Sequence, residues 1–208
     1  MIRRINMSQI IISIGREFGS GGRFIAEKLA ERFDLPLYDR HLITEIAEKM
    51  GMTAEQVEKY DETPKIKFIS RRVNGYSNSI EDNIAEMQFN IIDEKAKNGE
   101  SFVVIGRCSE TKLKEYPALI SLFILGDMDK KVKRVMEVYD LDEEDAKRLI
   151  TKKDKKRKQY HNYHCQGKWG DSRLYDLSIN SSRLGIDKTV DMLEEYIKAR
   201  IADEQNKH

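Results

Sequence analysis

A cluster of glycines near the start of the chain is the first feature with chemical consequences. The segment Gly15-Arg-Glu-Phe-Gly-Ser-Gly-Gly-Arg23 holds four glycines and ends on a cation. Glycine lets the backbone approach a ligand closely, and the amide groups at a helix start attract phosphate oxygens. The segment therefore predicts a phosphate-binding loop whose contacts with the ligand come from Gly15, Gly19, Ser20, Gly21, Gly22 and Arg23.

The loop departs from the common phosphate-loop pattern G-x-x-x-x-G-K-[ST]. Gly22 is followed by Arg23 and Phe24, so arginine stands where lysine is expected and no hydroxyl comes after it. An arginine there still supplies positive charge to a phosphate. Ser20 could contact Mg²⁺ only if the loop had a different shape, and we assign no residue as a metal ligand.

Two other interpretations of the loop stay open. Glycine-rich turns also pack a strand tightly against a helix without binding anything. A dinucleotide site is the second alternative, but the segment has no clean G-x-G-x-x-G pattern. Asp39, followed at once by Arg40, is the one acidic residue near the end of a second strand. The position of the glycines between a strand and a helix favours phosphate binding.

Strands that alternate with helices must position this loop. Gln9 to Ile14 is predicted as a strand, and Phe24 to Phe33 as the helix after the loop. Phe102 to Ile105 and Leu119 to Leu125 are continuous apolar runs, typical of central strands in a parallel sheet. Alternation of this kind predicts an α/β doubly wound sheet with right-handed crossovers. The other predicted elements are strands at 35–38 and 175–180, helices at 41–50, 53–60, 80–97, 129–139, 142–160 and 186–202, and a loop at 70–79.

Composition limits the classes of protein that the chain can represent. The 208 residues fit one domain with insertions, and 39% hydrophobic residues can build a core. Lys and Arg total 37 against 36 Asp and Glu, so no global charge draws the chain to nucleic acid or to an anionic membrane. Any basic site must therefore be local.

Location is predicted from what the sequence does not contain. Its apolar runs are far shorter than the roughly 20 residues that span a bilayer, and we find no secretory signal pattern. Cys108 and Cys165 form no C-x-x-C motif or disulfide framework, which suits a reducing compartment. We expect a cytoplasmic protein.

Six segments together resemble the cytidylate kinase-like family, from about residue 9 to about residue 200. They are the glycine loop (15–23), Leu37-Tyr-Asp-Arg-His-Leu-Ile43, Val104-Ile-Gly-Arg-Cys108, Asp154 to Tyr160 with Tyr163, Trp169-Gly-Asp171 and Tyr175-Asp-Leu-Ser-Ile-Asn-Ser-Ser-Arg-Leu-Gly185. The family is related to bacterial cytidylate kinases, which transfer the γ-phosphoryl group of ATP to CMP or dCMP with Mg²⁺. The resemblance implies a three-layer P-loop NTPase fold with a five-stranded parallel sheet, an acceptor-binding region and a helical lid.

The resemblance also implies roles for single residues. Arg23 takes the place of the phosphate-loop lysine. Gly106 and Arg107 match a Gly-Arg pair whose arginine holds the acceptor phosphate. Asp39 and Arg40 stand where the acceptor-binding helix begins, which makes them candidates for contacts with the acceptor.

A charged segment, Lys152 to Lys158, is similar to the lid of these kinases. Arg157 and Asp154 match positions that close over the donor and acceptor phosphates, while most of the other cations must face water. Phosphoryl transfer requires positioned positive charge and exclusion of water. We therefore expect catalytic roles for Arg23, Arg107 and Arg157, and substrate contacts from Asp39, Arg40, Arg107 and Asp154.

We expect a single domain that works on nucleotide substrates, with no nucleic-acid or membrane partner. Its core would comprise residues 9–38, 100–150 and 174–202, its acceptor-binding region 39–99 and its lid 151–173. The cofactors implied by the resemblance are ATP and Mg²⁺.

Two other functions stay open. The missing lysine, the missing hydroxyl and the presence of Cys108 where cytidylate kinases have Asp would suit a nucleotide-binding regulatory or interaction protein. A P-loop kinase of another small molecule is the other possibility.

His161, His164 and Cys165 are close in sequence, but no second group of ligands at zinc-type spacing accompanies them. We predict that these three residues form lid surface and packing.

Overall fold

The chain alternates strands and helices along its length. The structure is a computed structural model that describes residues 9–60, 72–73, 76–77 and 79–205. Its strands are β1 (Ile11–Arg16), β2 (Leu37–Tyr38), β3 (Arg72–Val73), β4 (Tyr76–Ser77), β5 (Phe102–Ile105), β6 (Leu119–Leu125) and β7 (Leu177–Asn180). Its helices are α1 (Gly22–Arg32), α2 (Arg40–Met50), α3 (Ala54–Tyr60), α4 (Ile80–Lys97), α5 (Ser109–Lys112), α6 (Met128–Tyr139), α7 (Glu143–His164) and α8 (Ser181–Gln205), with a 3₁₀ turn at Ser172–Leu174.

Five parallel strands form the central sheet in the order β2-β5-β1-β6-β7, which confirms the predicted architecture. β1 lies in the middle, paired with β5 on one side and β6 on the other. The carboxyl ends of neighbouring parallel strands meet at one edge, where ligands bind in sheets of this kind. The loops after β1 and β5 are therefore adjacent.

Helices cover both faces of the sheet because successive side chains of a strand point to opposite faces. On one face Ile12 and Ile14 pack into a core with Leu29 of α1 and Leu193 of α8. On the other face the buried core includes Ile11 and residues of α2 and α4. The sheet and the helices on its two faces therefore form the three layers that the resemblance implies.

Several boundaries differ from the sequence-based prediction. β1 continues through Gly15 to Arg16, because its pairing with β6 extends to Ile124. α1 begins at Gly22, two residues before the predicted start, and α7 continues to His164. Within 70–79, predicted as a loop, β3 and β4 form an antiparallel pair; the remainder, apart from residue 79, lies outside the described residues. In the described part of the chain, no helix has the length and apolar character needed to cross a bilayer.

Candidate active site

A cleft of about 640 Å³ lies at the carboxyl ends of β1 and β5. The glycine loop and the start of α1 form one wall, and α6 and α7 contribute the opposite wall. Of the residues predicted from sequence, those that line the cleft are Gly19, Gly21, Gly22, Arg23, Asp39, Arg107 and Arg157. The fold thus brings together most of the residues proposed for one site.

The glycines of the loop are required by its backbone geometry. Gly19 and Gly21 have φ angles of 79° and 83°, which side-chain-bearing residues rarely adopt. A Cβ on Gly22 would lie only 2.6 Å from Cβ of Arg16. The stem of Arg16 therefore fills the space beside the first residue of α1.

Two other predicted loop residues, Gly15 and Ser20, are not among the residues that line this cleft. Gly15 lies within β1, and a Cβ there would be 2.7 Å from Cδ2 of Phe123. Ser20 is fully buried; its Oγ donates to the Glu17 carbonyl (2.8 Å) and accepts from the Gly22 amide (3.3 Å). The Ser20 hydroxyl stabilises the loop from within.

Side chains from α6 and α7 hold the loop from outside. The Phe18 amide donates to Oδ1 of Asp154 (2.6 Å), and Lys131 Nζ donates to Oδ2 of the same carboxylate (3.3 Å) and to Oε2 of Glu17 (3.0 Å). Lys131 is buried, so this pairing is partly shielded from water. Burial raises the pKa of Asp154, while the Phe18 amide and Lys131 act in the opposite direction. Arg134 adds a hydrogen bond to the Gly19 carbonyl.

Asp39 links two of the predicted arginines. Its Oδ1 lies 3.7 Å from NH2 of Arg107 and its Oδ2 lies 3.9 Å from NH1 of Arg23. Arg107 is deeply buried, whereas the Arg23 side chain is 53% exposed and also donates to Glu27 (2.9 Å). Arg40 begins α2, but its side chain lies outside the described part of the structure.

The turn after β5 has an unusual backbone. Gly106, Arg107 and Cys108 have φ angles of 68°, 60° and 53°, so three successive residues are left-handed. Such conformations cost energy in residues other than glycine and concentrate at functional sites. Here they direct the buried Arg107 to the cleft.

α7 brings further cations to the cleft. Arg157 donates to the Arg16 carbonyl (3.3 Å), and its guanidinium lies 5.5 Å from the ring centre of Phe18. Lys153 and Lys156 line the same wall. Asp154 instead faces the glycine loop and is not among the lining residues.

The charge of the cleft contrasts with that of the whole chain. Basic side chains outnumber acidic ones among its lining residues, although the net charge of the chain is only +1. A concave surface with one sign of charge concentrates oppositely charged ligands. The arrangement is suited to holding several phosphate groups in a restricted space.

Three residues of this site are not singled out by any sequence pattern: Arg16, Lys131 and Arg134. Arg16 lies in a strand that was predicted to end before it, and its significance depends on its contact with Gly22. Lys131 and Arg134 belong to an ordinary amphipathic helix, and no local pattern distinguishes them. Their role depends on how α6 packs against the loop.

Fold and site together define the class of protein. A five-stranded parallel sheet, with a glycine loop between its central strand and the next helix, is the α/β P-loop kinase fold. A shikimate kinase from Bacteroides thetaiotaomicron shares this fold, with a TM-score of 0.53 and 16% identity over 91% of this chain and 98% of that one.

The chain belongs to the cytidylate kinase-like family, whose sequence model matches residues 11–183. A cytidylate kinase of Methanopyrus kandleri is 28% identical over 192 residues, which cover 90% of this chain and 93% of the relative. An uncharacterized protein from Eubacterium ventriosum has a similar crystal structure, with a TM-score of 0.73 and 43% identity over 91% of this chain and 99% of that one. Family and fold together support a phosphotransferase that uses a nucleotide.

Proposed function

We propose that this protein is a nucleoside monophosphate kinase that transfers a phosphoryl group from ATP, with CMP or dCMP as the preferred acceptor. The observation that carries the proposal is the convergence of Arg16, Arg107 and Arg157 on one cleft beside a glycine loop. Positioned positive charge is most of what phosphoryl transfer requires of a protein. The similarity to a cytidylate kinase of Methanopyrus kandleri favours a cytidine nucleotide as the acceptor.

The donor phosphates would bind at the glycine loop. The first amides of α1 have no acceptor within the helix and, together with the helix dipole, attract anions. Gly19, Gly21 and Gly22 leave room for phosphate oxygens to approach the backbone. Arg23, which is half-exposed at the cleft, would contribute charge at the edge of this site.

Arg16 is the better candidate for the charge that a phosphate-loop lysine usually supplies. Its stem packs where a side chain on Gly22 would begin, and it lines the cleft together with Arg107 and Arg157. Glycine at position 22 and arginine at position 16 thus complement each other sterically. An arginine offers a planar fork of donors that suits two phosphate oxygens at once.

The acceptor phosphate would bind to Arg107. The arginine is buried against Asp39, which holds its orientation before a ligand arrives. Binding to a positioned group loses less entropy than binding to a mobile one. Asp39 and Arg40 would then stand beside the acceptor at the start of α2.

Magnesium would arrive as part of the nucleotide substrate. No serine or threonine is present among the described residues that line the cleft, and Phe24 follows Arg23 where a hydroxyl would be needed. The acidic lining residues are Glu17, Glu27 and Asp39. Glu17 pairs with Lys131, and the other two contact Arg23. Mg²⁺ commonly keeps several waters and binds through substrate phosphates, so the donor set does not require a protein hydroxyl.

We also propose the division of the domain into a core (9–38, 100–150 and 174–202), an acceptor-binding region (39–99) and a lid (151–173). In this scheme α7 closes the cleft with Arg157 and excludes water from the transfer. We further propose that the protein works in the cytoplasm.

The test is a coupled assay of ADP release with Mg²⁺ and ATP, run against CMP, dCMP, UMP, AMP and GMP. ADP formation that depends on a cytidine nucleotide is the expected result. Arg107→Ala should lower kcat/KM at least about tenfold, and Arg16→Gln, which keeps the stem against Gly22, about a hundredfold.

Arg173→Ala is the matched control, because this arginine is 86% exposed and pairs with Asp171 away from the cleft. It should retain the wild-type rate. Binding of ATP without turnover of any acceptor would favour a nucleotide-binding regulatory protein instead. Turnover that is unchanged in folded Arg16→Gln and Arg107→Ala would refute the assignment of the site.

A further inference from the structure

A second group of chemically active side chains lies beneath the cleft. Cys108 and Glu110 follow Arg107 at the start of α5, while His161 and Cys165 stand at the end of α7. All four are buried, with at most 9% of each residue exposed. We call these residues the thiol cluster. The proposed kinase activity uses none of them.

Glu110, His161 and Cys165 bring their ligand atoms together, and Cys108 packs beside Cys165. Nε2 of His161 lies 2.7 Å from Oε1 of Glu110, and Cys108 packs in the same buried cluster as Cys165. The ligand atoms of Glu110, His161 and Cys165 all lie within 4.8 Å of one another. Glu110 and His161 are 51 residues apart in sequence, so two separate elements present sulfur, nitrogen and oxygen to one point.

This set of atoms has the chemistry of a zinc site. Zn²⁺ in proteins is bound by thiolate, imidazole and carboxylate groups, most often four of them in a tetrahedron. His161 lies in the last turn of α7, and Cys165 directly follows the helix, where its amide donates to the His161 carbonyl (2.8 Å). Cys108 and Glu110 supply a second pair from one tight turn.

We propose that Cys108, Glu110, His161 and Cys165 bind a single divalent ion of the Zn²⁺ type. Tetrahedral ligands at about 2.0–2.3 Å from zinc are about 3.3–3.8 Å from one another. The contact between Glu110 and His161 would have to lengthen by less than about 1 Å to reach this spacing. The metal would replace the thiol and imidazole protons, so binding strengthens as the pH rises.

The position of the ion gives it a structural role. It would join the carboxyl end of α7 to the turn that directs Arg107 toward the cleft. A small cavity of about 20 Å³, lined by Arg107 and Arg157 as well as by members of the thiol cluster, separates the two sites. Metal binding would thus restrain both elements without contacting a phosphate. The inference does not depend on which acceptor the protein uses.

The test is a titration of the reduced, full-length protein with Co²⁺, followed by displacement with Zn²⁺. The chain contains only two cysteines, so a sulfur-to-cobalt charge-transfer band can arise only from Cys108 and Cys165. We expect saturation at one Co²⁺ per chain, ligand-field bands of tetrahedral cobalt, and a charge-transfer band whose intensity falls by about half in each single Cys→Ser variant.

Variants at the other positions complete the test. His161→Gln and Glu110→Gln should weaken binding at least about tenfold, as is typical when a ligand or its close partner is lost. His164→Phe is the matched control, since it keeps the ring that contacts Tyr160 and Tyr163 but removes a nearby nitrogen. It should leave the spectrum unchanged.

A thermal measurement serves as a second readout if a variant folds poorly. For the wild-type protein, Zn²⁺ at a hundredfold excess over its Kd should raise Tm by about 5–10 °C. Co²⁺ binding without a charge-transfer band would place the ion elsewhere and overturn the proposal. A lack of stoichiometric binding, or a Cys108–Cys165 disulfide that forms in its place, would overturn it as well.

Discussion

The glycine loop and the turn after β5 reach similar backbone conformations by different means. Both follow parallel strands that are neighbours in the sheet, and both contain more than one left-handed residue. In the glycine loop these residues are Gly19 and Gly21, which adopt such angles at no steric cost. In the turn they include Arg107 and Cys108, which have side chains.

These two segments show that a left-handed backbone conformation can have two different causes. The glycine loop is permitted by its own composition and then fixed by contacts from α6 and α7. The turn is imposed by its surroundings, because each left-handed residue with a side chain costs about 1–2 kcal/mol that burial must offset. Arg107 and Cys108 are both buried, which is consistent with that account. We therefore expect the glycine loop to lose its conformation when side-chain atoms are added, and the turn after β5 to lose its conformation when packing contacts are removed.

Gly22→Ala should have the largest effect. The added Cβ would lie 2.6 Å from Cβ of Arg16, so either the end of β1 or the start of α1 must move. Displacement of a catalytic group by about 1 Å can cost about a hundredfold in rate. We expect that loss in kcat/KM, with a destabilisation of about 1–3 kcal/mol measured by urea denaturation.

Gly99→Ala is the control for this variant. Gly99 has a φ of 75°, and nothing lies within 4 Å of the position that its Cβ would take. The substitution should destabilise the fold by about 1–2 kcal/mol while leaving kcat/KM unchanged. Equal loss of activity in the two variants would mean that Gly22 is needed only for folding.

Asp154→Ala should have an intermediate effect on activity. It should also distinguish support of the glycine loop from direct contact with the acceptor substrate. Asp154 accepts from the Phe18 amide at 2.6 Å, so its removal frees the glycine loop where donor phosphates would bind. We expect KM for ATP to rise about tenfold, which corresponds to ~1.4 kcal/mol. KM for the acceptor should change little.

Steady-state kinetics with each substrate varied in turn provides the measurement. Lys152→Ala is a suitable control, because it removes a charge from an exposed position of the same helix. A rise confined to the KM of the acceptor would instead support the direct substrate contact that the resemblance implies for Asp154.

The fold was more predictable from sequence than the site. An apolar run such as Phe102 to Ile105 indicates a buried parallel strand, and the closely spaced glycines predict the loop after β1. The thiol cluster could not be found in this way. The local spacing of His161 and Cys165 shows only half of the proposed ligands. Glu110 joins them through its contact with His161, and Cys108 through its packing beside Cys165.

The glycine loop shows the same limit for single residues. Arg23 attracts attention because it follows a glycine pair, yet its side chain is half-exposed and bonded to Glu27. Arg16 is inconspicuous in a strand, and only the distance to Gly22 reveals that its stem fills the adjacent space. Sequence patterns identify a loop, whereas the order of side chains around it is a property of the packed structure.

The smallest effect is expected from replacing a left-handed residue by glycine at two different places. Asp140 has a φ of 53° at the exposed carboxyl end of α6, so Asp140→Gly relieves strain without removing packed atoms. Glycine also gains entropy in the unfolded chain, which offsets part of the relief. We expect a stabilisation of at most about 1 kcal/mol, which would raise Tm by about 2–4 °C.

Cys108→Gly makes the same backbone change where contacts hold the strain. The variant loses a buried thiol and its packing beside Cys165, so the local relief is outweighed and Tm should fall. Opposite signs in the two variants, measured by thermal denaturation in a metal-free buffer, would support a turn that is shaped by its surroundings. A rise in Tm for both variants would mean that the surroundings do not fix the left-handed backbone of Cys108, just as they do not fix that of Asp140. The contrast between the glycine loop and the turn after β5 would then disappear.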